Sequence, residues 1–471
     1  MSADLYEKLM AHSKSNVYPF HMPGHKMGRG MEHEMPWGID ITEIEGFDNL
    51  HHAEGIIDEA QKKVAATFGA DESFFVVNGS SSALMAAVMT CCKDGEKIIV
   101  GRNCHKSVFS GLVFSGAKPV YVMPKNIDGF GIAGGIEAED ILKTAQENPD
   151  AKAVVIVSPT FEGAVSDIEK IADICHKRNM FLIVDEAHGS HFKFNSYFPK
   201  TALECGADFV IQSAHKTLPA PTQTSFMHIK GGRVDVSRLK TILAMVQSSS
   251  PSYMFMAALD LCRDYLDGEK SKEDFENYVH MLKETRKELS GLKNFKLLGE
   301  SLVGKYGIKE LDLGKIVLSS DSFNCIEVSK ILNEKYKIVL EMSCPAHLAA
   351  LTSVCDEKEG FDRLVKAMKE IDGMNLKKYS HNKSSFDIPV PNVKTSPRKA
   401  FYGESKECAF ENAEGKISAE FIIPYPPGIP VCAPGEEITY EALEILRKYK
   451  SFGGEIIGMK DNLLEKIQIL V

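Results

Sequence analysis

The chain has 471 residues and a mass of 52.0 kDa, with 44% hydrophobic and 25% charged residues. That is the composition of a folded protein rather than a disordered one, long enough for roughly three domains or one large domain with appendages. A formal net charge of −10, from 55 basic and 65 acidic residues, argues against nucleic acid or an anionic membrane as a partner.

Residues 1–54 read as an N-terminal segment. They carry no basic-then-apolar leader, and no apolar run in the chain approaches the ~18 residues that span a bilayer, which points to the cytoplasm. From 55 to 290, short β-rich runs at 74–77, 97–100, 119–122, 153–157, 181–184 and 208–211 alternate with helical patterns. This is the signature of βαβ units on a mostly parallel sheet. Runs apolar on both faces belong to strands covered on both sides, and in such sheets ligands sit at the carboxyl ends of the strands. The charged stretch 271–292, with Glu276, Lys283, Glu284, Arg286 and Lys287, reads as a connector helix with a solvated face. A small α+β domain is expected over 291–376, with strands at 315–319, 338–341 and 347–352 and helices near 325–335 and 358–371. A polar linker, 377–398, opens a last domain over 377–471. The eleven cysteines include no pair at the two-residue gap of a zinc or redox motif, so they read as buried thiols and no metal is expected.

The chemistry lies just after the strands. The run 181–184 leads into Asp185, Glu186, Ala187, His188 and Gly189. A carboxylate buried there is costly unless it meets a cation or a donor. A helicase-like site, a metal site and a cofactor partner each use such an acid, but the helicase also needs a phosphate-binding Gly-x-x-x-x-Gly-Lys-Ser/Thr loop, which this chain lacks. The next run ends in Ser213, Ala214, His215, Lys216 and Thr217. A desolvated lysine loses its proton readily enough to act as a nucleophile. Lys216 with Asp185 on the preceding strand suggests pyridoxal phosphate, whose aldehyde takes a lysine and whose ring nitrogen takes a carboxylate. Asn78-Gly79-Ser80-Ser81-Ser82, opening a helical run, supplies amides and hydroxyls for a phosphate. His105, after the run 97–100, stands where a flat side chain can stack on a ring.

Taken together, His21-Met22-Pro23-Gly24-His25-Lys26, Asp40-Ile41-Thr42-Glu43, Arg102-Asn103-Cys104-His105-Lys106-Ser107, Ser158-Pro159-Thr160, Val184-Asp185-Glu186-Ala187-His188-Gly189, Ser213-Ala214-His215-Lys216-Thr217-Leu218-Pro219, Ser250-Pro251-Ser252-Tyr253 and Pro424-Tyr425-Pro426-Pro427-Gly428-Ile429-Pro430 resemble the ornithine/lysine/arginine decarboxylases of the aspartate-aminotransferase fold type. The resemblance spans about residues 18–440. It implies an α/β fold-type-I large domain with a mostly parallel seven-stranded sheet, followed by smaller α+β domains. It implies that Lys216 forms the Schiff base with pyridoxal 5′-phosphate, that Asp185 binds the pyridine nitrogen and that His105 stacks on the ring. Ser80, Ser81, Ser82, Ser213 and His215 surround the phosphate, and Ser248 reaches the phosphate of a neighbouring subunit, which implies a homodimer at least. His188, where some relatives carry tryptophan, joins the catalytic and cofactor-binding set. Phe161 stands where tyrosine is common, Pro221 interrupts the usual Ala-Leu-Thr-Gln, and there is no room before His21 for the N-terminal wing of the larger members.

The implied reaction is α-decarboxylation of a basic amino acid. Arginine giving agmatine is the expected case, with lysine and ornithine as alternatives and an aminotransferase or a non-catalytic paralogue as rival classes. Distal acids select the substrate, and Glu436, Glu43 and the neighbouring Asp40 and Glu45 are the candidates.

Overall fold

The computed structural model describes residues 18–20, 43, 47–376, 389–425, 428–451 and 453–471. Its large domain is built on seven strands: β1 (Glu72–Val76), β2 (Lys97–Gly101), β3 (Lys118–Val122), β4 (Ala153–Val157), β5 (Phe181–Asp185), β6 (Phe209–Gln212) and β7 (Ser225–Ile229). They lie in the order β1-β7-β6-β5-β4-β2-β3, with β7 antiparallel to both of its neighbours and every other pairing parallel. The six apolar runs read from the sequence are β1 to β6, displaced by a residue or two at their ends. β7 is absent from that reading because Ser225 and His228 break its apolar pattern. Both are nevertheless buried, their polar atoms met by Ser80 and the Gln212 carbonyl and by Ser73 and the Gln212 side chain.

Alternate residues of each strand enter two separate cores, the consequence of a period of two in a sheet covered on both faces. Val76, Ile98, Val100, Ile183, Phe209 and Ile211 pack against α2 (Gly79–Cys91), α3 (Lys106–Ser115) and α7 (Val236–Val246). Phe75, Ile99, Val154, Leu182, Val184 and Val210 pack against α1 (Ile56–Phe68), α4 (Ala138–Glu147) and α5 (Ile168–His176). A single turn, α6 (Ala214–Thr217), follows β6.

Two helices, α8 (Tyr253–Asp267) and α9 (Glu269–Ser290), lead out of the large domain. On α9, Glu276, Lys283, Glu284 and Lys287 are exposed as expected, but Arg286 is buried, its guanidinium taken up by the carbonyls of Leu313 and Lys315, and Phe275, Tyr278, Val279, Leu282 and Leu289 are buried with it. The small domain is an antiparallel sheet of β8 (Lys296–Leu297), β9 (Lys315–Ser319), β10 (Met342–Ser343) and β11 (His347–Leu351), with α10 (Cys325–Tyr336) and α11 (Lys358–Asp372). The run expected as a strand at 338–341 is Ile338–Leu340, and it pairs in parallel with Tyr18–Phe20 from the N-terminal segment. Tyr18 donates to Asp356 Oδ1 at 2.8 Å and lies so close to Gly360 that a Cβ there would stand 1.8 Å from the phenol ring.

The C-terminal part pairs β12 (Ser405–Ala409) with β15 (Lys466–Leu470) and β13 (Ile423–Tyr425) with β14 (Glu455–Ile457), both antiparallel. Ile422, Leu443, Leu446, Ile456, Ile467 and Ile469 form a core of its own.

Candidate active site

A cavity of about 590 Å³ opens where the carboxyl ends of β1, β2, β4, β5 and β6 meet the small and C-terminal parts of the chain. Asp185 ends β5, opposite Ile211 of β6, and β6 runs straight into the turn that carries Lys216, so strand pairing brings this acid and this amine to one opening. Lys216 Nζ stands 2.9 Å from His188 Nε2. Burial holds the Lys216 pKa below the usual lysine range; Asp185 and Glu341 pull against that shift and Lys315 adds to it. The Asp185 carboxyl is pushed up by burial, against the pull of Lys216 and the Ala187 amide that donates to Oδ1 at 3.1 Å. Its other oxygen has no hydrogen-bond partner among the described residues.

His105 caps α3. The Ser107 backbone N–H, at 3.3 Å, and hydroxyl, at 2.7 Å, both donate to Nδ1, which leaves the ring proton on Nε2. Burial, with Lys216 and Lys106 nearby, takes its pKa down to about 3, so the ring is uncharged. Gly428, at φ +91°, approaches so closely that a Cβ there would sit 3.3 Å from the imidazole edge. His188 is likewise held neutral, first by burial and then by Lys216 and Lys315.

At the start of α2, Gly79 adopts φ +80°, which a side chain disfavours. Ser80 Oγ lies 2.7 Å from Ser213 Oγ and 2.8 Å from Ser225 Oγ, joining three segments. His215 Nδ1 donates to the Thr224 carbonyl at 2.9 Å. Gln223, at φ +81°, lines the cavity and donates to the Val77 carbonyl at 2.7 Å.

Of the residues singled out in the sequence, Lys216, Asp185, His105, His188, Ser80, Ser81, Ser213 and His215 share this cavity. Four others do not. Ser82 is turned away by the helical period and its hydroxyl donates to the Asn78 carbonyl at 3.3 Å. Ser248 is exposed, its hydroxyl turned to the Ser250 carbonyl at 3.4 Å. Glu43 is exposed and lines no part of the cavity. Glu436, expected as a substrate acid, is instead buried 3.1 Å from Arg102, a fully buried guanidinium that also donates to the carbonyls of Pro430 and Val431 and lies 5.3 Å from the rings of Phe109 and Tyr121. A cation so placed needs a counter-charge, and Glu436 supplies it. Asp40, Glu45 and the motif at 21–26 lie outside the described residues.

Sequence reasoning missed two acids of the cavity, Glu162 and Glu341, and also Asn103, Gln223, Cys344 and His347. Glu162 directly follows the Ser-Pro-Thr-Phe run and was readable there. Burial raises its pKa against His347 and Thr160. Glu341 and Cys344 come from the small domain, more than a hundred residues from the catalytic strands, with no local signal.

One antiparallel strand in an otherwise parallel seven-stranded sheet, with a lysine-bearing turn and an acid on adjoining strand ends, is the α/β architecture of fold type I. Solved structures agree: a lysine decarboxylase from Francisella novicida superposes with a TM-score of 0.78 at 23% identity, covering 91% of this chain and 73% of that one. Within that class the chain belongs to the Orn/Lys/Arg decarboxylase family and is an amino acid decarboxylase. The family's major-domain model matches residues 3–326 and its C-terminal-domain model residues 378–463. The arginine decarboxylase of Bacillus anthracis is 35% identical over 99% of this chain and 97% of its own length, and that of Bacillus subtilis (strain 168) is similar to the same extent.

Proposed function

We propose that this decarboxylase acts on L-arginine, releasing CO₂ and agmatine, with pyridoxal 5′-phosphate as its cofactor. The observation that carries the chemistry is the opening of Lys216, Asp185 and His105 into one cavity from the carboxyl ends of β6, β5 and β2. The residues present fit the cofactor. Asp185 is a buried carboxylate with one oxygen unclaimed among the described residues, Asn103 Oδ1 is buried without a partner among them, and the left-handed Gly79 starts α2 beside the paired hydroxyls of Ser80 and Ser213. Lys216 would hold the cofactor's aldehyde, Asp185 its ring nitrogen, His105 its ring face, and Ser80, Ser81, Ser213 and His215 its phosphate. When bound, the cofactor supplies an electron sink for the pair released as the carboxylate leaves.

The protein's part is to bind, orient and move protons. Lowered by burial, Lys216 presents an uncharged amine more readily than a solvated lysine does. His188 Nε2, 2.9 Å away and neutral, is placed to exchange a proton with that amine. His105 offers a flat ring whose orientation Ser107 fixes. Glu162 and Glu341 replace Glu436 and Glu43 as the acids that counter the substrate's side-chain cation, and a guanidinium suits a carboxylate's two oxygens.

Arginine is favoured over lysine and ornithine by the full-length relatives named arginine decarboxylases. Ser248, exposed here, reaches the phosphate of a second copy, so the working unit is a homodimer in the cytoplasm. Incubating the cofactor-loaded protein separately with arginine, lysine and ornithine, and identifying each amine by mass, tests the assignment. Agmatine formed fastest supports it; faster CO₂ release from lysine or ornithine, or a keto-acid product, overturns it.

A further inference from the structure

Behind the cavity, and not lining it, lies a second buried lysine. Lys315 begins β9 of the small domain and its side chain is 1% exposed. Its ammonium donates to Asp312 Oδ2 at 2.6 Å and to the backbone carbonyl of His188 at 3.1 Å. Asp312 Oδ1 in turn accepts from the Gly314 N–H at 2.9 Å and meets His191 Nε2 at 3.2 Å. The Asp312 N–H donates to the Gly163 carbonyl at 2.8 Å, and the Lys315 stem crosses Gly163 so closely that a Cβ there would lie 3.2 Å from Lys315 Cγ. The 312–315 turn is therefore clamped between two loops of the large domain that face the cavity: the one carrying Phe161 and Glu162, and the one carrying His188.

A lysine is costly to bury even when paired, and an apolar residue fills such a place at lower cost. Besides its partner Asp312, this one meets a backbone carbonyl of the large domain, that of the residue whose ring meets Lys216. We propose that Lys315 is a positioning residue for the Lys216–His188 pair: it ties the small domain to the His188 backbone, so that the imidazole meets the Lys216 amine only when the two domains are in register. This rests on the role proposed above for Lys216. The charge of Lys315 also acts on that amine from behind. Among the groups around Lys216, Asp185 and Glu341 favour its charged form, Lys315 opposes it, and His188, His105 and His215 are the neighbouring imidazoles.

The test uses Lys315→Met and, because that change strands Asp312 as a buried lone charge, the double variant Lys315→Met/Asp312→Asn. In cofactor-free protein, the pH dependence of Lys216 labelling by trinitrobenzenesulfonate, located by peptide mass, reads the amine without any turnover. In cofactor-loaded protein, kcat and KM for arginine read the alignment. In the double variant, folded by its thermal transition, the labelling midpoint should move toward higher pH by about half a unit or more. Its kcat should fall about tenfold or more, with KM changing less. A folded double variant whose labelling midpoint and kcat both match the parent overturns the proposal. A parent protein that binds pyridoxal phosphate but turns over no basic amino acid overturns the functional reading alone, because the labelling midpoint still reports on Lys315.

Discussion

Arg102 and Glu436 show how a residue's role depends on what surrounds it. Both are fully or nearly fully buried, and each gives the other its charge balance. Arg102→Met should therefore lower stability by about 3–5 kcal/mol by leaving Glu436 uncompensated, whereas replacing both with methionine should cost less than either single change. Denaturant unfolding of the three variants checks this. Glu162 belongs to the cavity instead, and Glu162→Gln is expected to raise KM for arginine about tenfold, with a smaller effect on kcat. The buried titratable groups set the pH range of stability. His105 and His228 are depressed to about 3, so the stability they confer is intact above the ordinary histidine value of 6.5 and is lost as pH falls toward 3. Glu186 is raised to about 8 by burial, so its contribution is intact below the ordinary value of 4.5 and is lost as pH rises through 8. Unfolding midpoints measured from pH 4 to pH 9 should decline on both sides, and Glu186→Gln should flatten the alkaline side.

The elements carry these residues to their places by simple geometric rules. Parallel pairing of β5 with β6 is what sets Asp185 beside the turn of Lys216, and a slip of one residue in either strand would send one of the pair to the opposite face. The small domain is held just as closely by the strand Tyr18–Phe20, whose tyrosine ring lies against α11 at Gly360. Gly360→Ala places a methyl inside that ring, and a loss of about 3 kcal/mol is expected from the forced repacking. Combining it with Tyr18→Ala should return part of that loss, which thermal unfolding of the single and double variants measures.

On the scale of the molecule, the cavity is a junction. Large-domain strand ends supply the amine and its acid, the small domain supplies Glu341 and Cys344, and the C-terminal part closes over it through Tyr425 and Val431. On the proposed homodimer the exposed Ser248 would serve a second copy, so light scattering of the cofactor-loaded protein should give at least twice 52.0 kDa. A monomer that turns over arginine at full rate would remove Ser248 from the site.

Sequence alone determined whatever is encoded locally: six of the seven strands, from apolar runs bounded by polar residues, and the gathering of Lys216, Asp185, His105, Ser80 and Ser213 around one cavity, from their places just past those runs. Tertiary structure decided what depends on distant partners. β7 escaped notice because its polar residues are satisfied by other strands rather than by water. Glu436 reads as a free acid in the sequence because its cation, Arg102, lies 334 residues away in the chain. Glu341 and Lys315 entered the picture only when the small domain folded back on the sheet, since a side chain's charge and burial are set by its neighbours in space, and local pattern is silent about which those will be.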